Sequence, residues 1–412
     1  MIFVVVVVVV KKKRRRKIRN MDKKTSYQSQ GLCRSVAQTS HPGKRRPSKD
    51  AMASIIDGEK LFETQIVFYE PIVENSGAIN IAFESKFNRL EHDDPKVRSA
   101  VQGEWKKRKA LNPKLFNGSK FRFHSVTKSV KKFGDKEDGV ATVNLGLTSY
   151  GDFLGTNYNS AISKRLLADG VAKHGNPQSY MADPLGVGAL VLTEDNYFVA
   201  FQRSDVVGEF SGFVDIPGGH PEPSEVGIAI DFFNAPVTRF NGSSHVEQSP
   251  EYTIVSDKGI QGNCIKRTDY VVCGDEGDIS PKPNVQIVSM KSILKELFNS
   301  ILMEVHLEIN IPLANLSPPK LIGILRQLGQ PNGRASMSFV INCNLKSNQV
   351  KEMFALGPKE EDESSGQLLL LHRNDVLSGV VHTKHKFTPA TTGSFEIYRK
   401  VVGKSNAVAL GE

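Results

Sequence analysis

SMKSILKELFNSILMEVHLEINIP, residues Ser289–Pro312, decides how the rest of the chain is read. Ile293, Leu297, Ile301, Val305 and Ile309 recur every four positions, the period of a helix that buries one stripe. Ser289 suits the N-cap, and Asn310 with Pro312 supplies a stop. Off that stripe, Glu296, Glu304 and Glu308 fall within one sector of the helix. Glu304 and Glu308 are one turn apart, so in the bare helix their like charges cost roughly a few tenths of a kcal/mol. A divalent cation between them reverses that sign, because hard cations prefer carboxylate oxygens. A solvated acidic face is the other reading of the same residues.

The chain has 412 residues, enough for two domains or for one large domain with an appendage. Its 39% hydrophobic and 24% charged content is ordinary for a soluble protein. The net charge of +10 suggests a nucleic-acid binder only until the charge is located. Residues 1–60 carry 16 of the 54 Lys/Arg and 4 of the 44 Asp/Glu, leaving 38 basic and 40 acidic residues in the remainder. The basicity belongs to a tail, so no nucleic acid is expected on the folded part. Cys33, Cys264, Cys273 and Cys343 lack CxxC spacing and the density of a disulfide scaffold, which points to a reducing compartment.

Met1–Val10 is an apolar run about half as long as a bilayer span. Its basic block, Lys11–Lys17, follows the run where a secretory signal has its charges first, so no membrane partner is expected. Residues 1–60 read as a disordered basic tail, and the block is alternatively a nuclear-import patch on a cytoplasmic protein. From about Leu61, FETQIVFYEPIV and INIAFESKF bring strands. Asp94–Ala110 reads as a basic helix carrying the single tryptophan, Trp105, expected as a core anchor. KLFNGSKFRFHSV and GVATVNLGLTSY add two strands, so residues 61–175 are expected as a smaller N-terminal α+β domain.

The second unit, residues 176–402, opens with ADPLGVGALVLTEDNYFVAFQRS, a hairpin turning at Glu194–Asn196. FVDIPGGHPEP then runs from strand into a Pro-Gly-Gly turn, where glycines let backbone amides approach a ligand. Residues 224–288, rich in Gly, Ser, Asn and Pro, read as a surface insertion. After the helix, KLIGILRQLG, ASMSFVINCNL and QLLLLH are expected as strands and SNQVKEMFALG as a short helix. TPATTGSFEIYRKVV reads as a closing helix with Pro389 in its first turn, ahead of a C-terminal tail at 403–412. Strands interleaved with helices predict an α/β/α sandwich with a mixed sheet.

A hairpin, a Pro-Gly-Gly turn and a helix with Glu at i and i+4 together resemble the Nudix hydrolases, whose signature is G-x5-E-x7-R-E-U-x-E-E-x-G-U with U aliphatic. Gly219 takes the first glycine and MEVHLEINI (Met303–Ile311) the second half, leaving Glu304 and Glu308 on two of the usual metal positions. Met303 stands where a bracing arginine is usual, Leu307 where another acidic ligand is, and Asn310 where a glycine is. Glu225 follows Gly219 at the signature distance, but the arginine spacing after it fails. Longer strings, LGLTSYGDFLGTN, ADPLGVGAL, VDIPGGHPEP, KELFNSILMEVHLEINIP and GRASMSF, resemble one branch, the UDP-glucose/UDP-galactose diphosphatases, over roughly Trp105–Val402.

The resemblance implies Mg2+-dependent cleavage of UDP-glucose or UDP-galactose to UMP and a sugar 1-phosphate, with Mg2+ on Glu304 and Glu308 and Glu363 as candidate general base. It implies Arg203 at the pyrophosphate, and Asp215, Gly218, Gly219, His220 and Glu222 around the glycine turn. Phe116 and Tyr150 are implied as nucleotide contacts. The plainer readings are a core Phe116, an ion-paired surface Arg203, an exposed His220 and a solvated acidic loop around Glu363. Met303 and Leu307 also admit a catalytically weak Nudix module that binds a nucleotide or a protein partner without turnover. The residues specify neither the preferred sugar nor an oligomeric state.

Overall fold

The structure is a computed structural model that describes residues 64–133, 136–203, 210–229, 237–240, 264–267, 271–273, 287–329, 332–356 and 366–409. The expected tail at 1–60, Glu363 and most of the 224–288 insertion lie outside the described residues.

Three short strands open the described chain: β1 (Thr64–Phe68), β2 (Ile72–Val73) and β3 (Ile79–Phe83). Helix α1 (Pro95–Leu111) begins where the Asp94 side chain accepts from the Lys96 N–H and Pro95 fills the first turn. β4 (Ser119–Phe133) and β5 (Lys136–Ser149) form a long antiparallel hairpin, and β3 joins β5 in parallel to complete a smaller sheet ordered β3-β5-β4. Phe121, Phe123, Val143 and Leu145 are buried in it, and Phe83 meets Phe121 edge-on at 5.9 Å. Two helices follow: α2 (Tyr150–Gly155), capped by Ser149, and α3 (Ser160–His174), capped by Asn159 and closed by Gly175 at φ +64°. Both are additions to the sequence reading. α2 is a turn and a half long, and α3 buries only a sparse stripe of Ile162, Ser163, Leu166 and Gly170.

β6 (Leu185–Leu192), LGVGALVL, occupies the middle of a larger sheet, and a strand covered on both faces reads as such a continuous apolar run. It pairs with β7 (Tyr197–Gln202) across a turn in which Asn196 takes φ +65°. β8 (Val214–Asp215) pairs with β7, and β9 (Gly218–Gly219) with β6. Of the expected insertion, the described part includes β10 (Val237–Phe240) on β11 (Cys264–Arg267) and β12 (Val271–Cys273) parallel to β13 (Ile287–Ser289).

Helix α4 (Met290–Ile309) is the one expected from Ser289–Pro312. Ser289 and Ser292 cap it reciprocally at 2.9 and 3.0 Å, and Asn310 ends it at φ +66°. Its stripe of Ile293, Leu297, Ile301, Val305 and Ile309 is fully buried, a gross hydrophobic gain on the order of 10 kcal/mol. The chain closes with β14 (Lys320–Gln327), β15 (Ala335–Asn342), α5 (Ser347–Leu356), β16 (Leu368–His372), α6 (Arg373–Ser378), α7 (Val381–Lys384) and α8 (Pro389–Ala409). The larger sheet runs β1-β14-β15-β6-β7-β16, and its β15–β6 pair is parallel in an otherwise antiparallel path. β1 and β2 thus pair into this sheet although they precede the smaller one in sequence. α4 covers one face, with Phe298 edge-on to Phe339 at 5.1 Å, and α8 covers the other through Phe395 on Phe198 at 6.1 Å.

A buried polar knot ties the two sheets together. Asp183, fully buried at φ +42°, accepts from Arg326 Nη1 at 3.1 Å and from Asn157 Nδ2 at 2.8 Å. Its carbonyl accepts the Phe123 N–H of β4 at 3.0 Å, and Arg326 Nη2 donates to the His124 carbonyl at 3.2 Å. Arg122 donates to the carbonyls of Phe87, Gln178 and Met181 at 2.7, 2.7 and 3.0 Å. Burial brings its guanidinium down to about 10, so it stays charged at neutral pH. Removing one partner strands the other charge: Arg326→Met should lower stability by about 3–5 kcal/mol in urea unfolding. A loss under about 1 kcal/mol would mean that this pair does not hold the sheets together.

Candidate functional site

The knot leaves a cavity of about 560 Å3 where the smaller sheet and its helices meet the larger sheet. Its polar wall is the Pro-Gly-Gly turn facing α4. The Gly218 N–H donates to Glu308 Oε2 at 3.0 Å. A Cβ on Gly218 would lie 2.5 Å from the Val187 carbonyl, and one on Gly219 would overlap the Glu304 carboxylate. Both positions therefore need glycine for close approach. Glu296, two turns earlier on α4, accepts the Glu222 N–H at 3.4 Å. The three glutamates of one helix sector thus face the glycine turn and the segment after it, while the buried stripe fixes the helix against rotation.

Burial, with Glu304 as the adjacent like charge and Asp215 beyond it, pushes the Glu308 carboxyl well above the usual carboxylate range. The Gly218 N–H and Arg203 act in the opposite direction. A hard divalent cation offsets the same repulsion, and the all-oxygen donor set suits one. Among the described residues no three His, Cys, Asp or Glu side chains gather as a metal cluster. Glu304 and Glu308 would supply the protein's share of such a site, with water or ligand oxygens completing it.

Arg203 stands beside this pair, its Nη1 3.0 Å from Asp215 Oδ2. Asp215 is itself fixed: its Oδ1 accepts from Thr388 and Thr391 hydroxyls at 2.7 and 2.8 Å and from the Ile216 N–H at 3.0 Å. His220 is brought down to about 3 by burial and by the positive charges of Arg334 and Lys120, so its ring is neutral. Lys120 reaches Glu222 at 3.3 Å. The opposite wall is aromatic. Tyr150 is backed edge-on by Trp105 at 6.4 Å, and Arg108 lies over the Tyr158 ring at 5.0 Å. Trp105, expected as a core anchor, is half-buried and works as this backing.

Of the residues named from the sequence, Tyr150, Arg203, Asp215, Gly218, Gly219, His220 and Glu308 line the cavity. Glu304 stands behind Gly219, and Glu222 takes part through Lys120. Phe116 is 79% exposed, neither core nor cavity wall. Lys120 and Arg334 lie in strings already singled out, KLFNGSKF and GRASMSF, without being assigned a role there. Arg108, Tyr158 and Gln327 also line the cavity, and no sequence signal marks them.

No family model matches the chain. Among curated proteins it is similar to the uridine diphosphate glucose pyrophosphatase NUDT22 of Homo sapiens, 33% identical over 314 residues, covering 76% of this chain and 84% of that one. The protein of the same name from Bos taurus is 32% identical over 306 residues, covering 74% and 86%. Nudix hydrolase 9 of Arabidopsis thaliana is 28% identical over 280 residues, covering 67% and 73%.

Gly219→Ala should push Glu304 aside and cost about 1–3 kcal/mol in thermal or urea unfolding, whereas an unchanged midpoint would show slack at the turn. The Glu308 carboxyl gives a pH signature. Its folded-state pKa lies above the ordinary 4.5, so the folded protein favours the protonated form. That contribution is complete below the ordinary value and is lost as pH rises through the folded one. In EDTA, wild-type protein should therefore gain stability relative to Glu308→Gln as pH falls from about 8 to about 5. Parallel profiles for the two proteins would contradict the shift.

Proposed function

The chain belongs to the Nudix hydrolases, and from that premise we propose that it splits the pyrophosphate bridge of UDP-sugars, UDP-glucose and UDP-galactose, using Mg2+. The observation that carries this reading is the Glu304–Glu308 pair pressed on a diglycine turn at the wall of a cavity that also holds Arg108, Lys120, Arg203 and Arg334. Such a surface suits a ligand bearing two adjacent phosphates. Relatives named for uridine diphosphate glucose support the choice of substrate.

Hydrolysis adds water across one P–O bond of the bridge, leaving UMP and a sugar 1-phosphate. Glu304 and Glu308 would hold the cation, which would supply charge neutralisation at the phosphoryl oxygens. Arg203, oriented by Asp215, offers a planar guanidinium for paired bonds to phosphate oxygens. With no Cβ at Gly218 or Gly219, the turn packs directly against Val187 and the Glu304 carboxylate, which holds the glutamate pair at the cavity wall. His220, being neutral, donates or accepts a hydrogen bond there without adding charge. The Tyr150 ring, held by Trp105, gives uracil a flat apolar partner. Glu363, outside the described residues, is the candidate general base that the family resemblance implies.

Met303 and Leu307 support a second reading, a module that binds a nucleotide or a protein partner without turnover. The two separate in one assay. With Mg2+ and UDP-glucose the protein should release UMP and glucose 1-phosphate, EDTA should stop the release, and Glu304→Gln should lower the rate roughly 100-fold or more. UDP-dependent thermal stabilisation without hydrolysis of any UDP-sugar would replace the first reading by the second.

A further inference from the structure

Gln327 ends β14, is 2% exposed, and carries a side-chain Nε2 with no hydrogen-bond partner among the described residues. Its backbone is fixed, the N–H donating to the Arg334 carbonyl at 2.9 Å and the carbonyl accepting from the Gly333 N–H at 2.7 Å. The side chain therefore starts from a set position. Gly323 and Leu325 share a strand face with Gln327. Gly323 lies under Ile397 of α8 and Leu325 under Gly393. Gln327 is the next position on that face, past the helix, and lines the cavity. Buried carboxamides are hydrogen-bonded as a rule, and an orphaned donor on a residue of a cavity wall marks a place where an acceptor from outside belongs.

Three strand spacings along β9-β6-β15-β14, about 14 Å, and a register offset of three residues from Ile324, level with Gly219, put Gln327 roughly 17 Å from the diglycine turn. Ser336 and Gly186 line the cavity between them, and both are small. A phosphate held at Gly218 and Gly219 lies too far away to meet Gln327. A group attached to the diphosphate lies within reach.

We propose that Gln327 is a specificity-determining residue that donates its Nε2–H to an acceptor oxygen of the bound nucleotide sugar at the end of the cavity remote from the diphosphate. The assignment rests on the nucleotide-sugar reading of this cavity. A sugar hydroxyl and a uracil carbonyl offer the same acceptor, and the choice of ligand separates them. A ligand lacking the acceptor leaves the buried donor unmade, which is how such a residue discriminates.

The test compares wild-type protein with Gln327→Met, which keeps side-chain volume and removes the donor. Dissociation constants for UDP-glucose and UDP are measured by titration calorimetry in EDTA, so that nothing is hydrolysed. Ligand-free Gln327→Met should unfold at or above the wild-type temperature, because a lost orphan donor costs the folded protein nothing. UDP-glucose should bind it roughly 10–100-fold more weakly. An equal loss for UDP puts the acceptor on the nucleoside, and an unchanged UDP affinity puts it on the sugar. Binding of both ligands within about twofold of wild type overturns the proposal, as does a ligand-free variant that unfolds well below wild type. Wild-type protein that binds neither ligand in EDTA and releases no UMP from UDP-glucose with Mg2+ refutes the underlying functional reading, and that result appears before any variant is compared.

Discussion

Asp183 and Arg326 hold each other in a place where neither charge is stable alone. The contact does more than neutralise. Asp183 sits in the segment leading into β6, and Arg326 sits on β14, so the pair binds two strands of the larger sheet. The same residues reach the smaller sheet through Phe123 N–H and the His124 carbonyl, and Asn157 adds a donor from the end of α2. A buried pair of this kind contributes little net stability compared with apolar packing, but it accepts one geometry only. The cavity needs that property. Its aromatic wall belongs to one sheet's helices and its polar wall to the other sheet, so their separation is set at this knot. The left-handed backbone at Asp183 is part of the same arrangement, held by everything that converges on the carboxylate.

A second conflict lies at the polar wall. The α4 stripe packs so completely that the helix has one rotational setting, and that setting brings Glu304 and Glu308 against the glycine turn. Hydrophobic burial on one side of the helix is what holds repelling carboxylates together on the other. The protein thereby keeps a repulsion that a cation or a proton would relieve, the usual relation between a stable scaffold and a strained functional group. Asp215 repeats the pattern on a smaller scale. Two threonine hydroxyls and a backbone N–H hold it, and it in turn orients Arg203.

Most of the secondary structure was legible because it is written locally. The period of four from Ile293 to Ile309, its serine cap and its asparagine stop appear in α4 as read. The apolar run of β6, the Glu194–Asn196 turn and the closing helix after Thr388 also carry their own signals. α2 and α3 were missed because one is shorter than a periodicity window and the other buries only two large apolar side chains, Ile162 and Leu166, beside Ser163 and Gly170. The site divides in the same way. Gly218, Gly219, Glu304 and Glu308 were legible from pattern and resemblance, while Arg108, Tyr158 and Gln327 reach the cavity only by tertiary packing. The knot itself joins residues 143 positions apart, and an aspartate before a proline gives no hint of such a partner. Phe116 shows the converse, an aromatic side chain whose exposure no local pattern reveals.

Gly218 and Glu308, joined by one hydrogen bond, are 90 positions apart in the chain. Closing a loop grows costlier only with the logarithm of its length, so doubling such a segment adds about 0.6 kcal/mol. Natural lengthening or shortening between the turn and the helix is therefore almost invisible to the chemistry. Evolution can treat that stretch as free real estate, fitting it with addresses, tethers or sensors while the enzyme beneath keeps its shape.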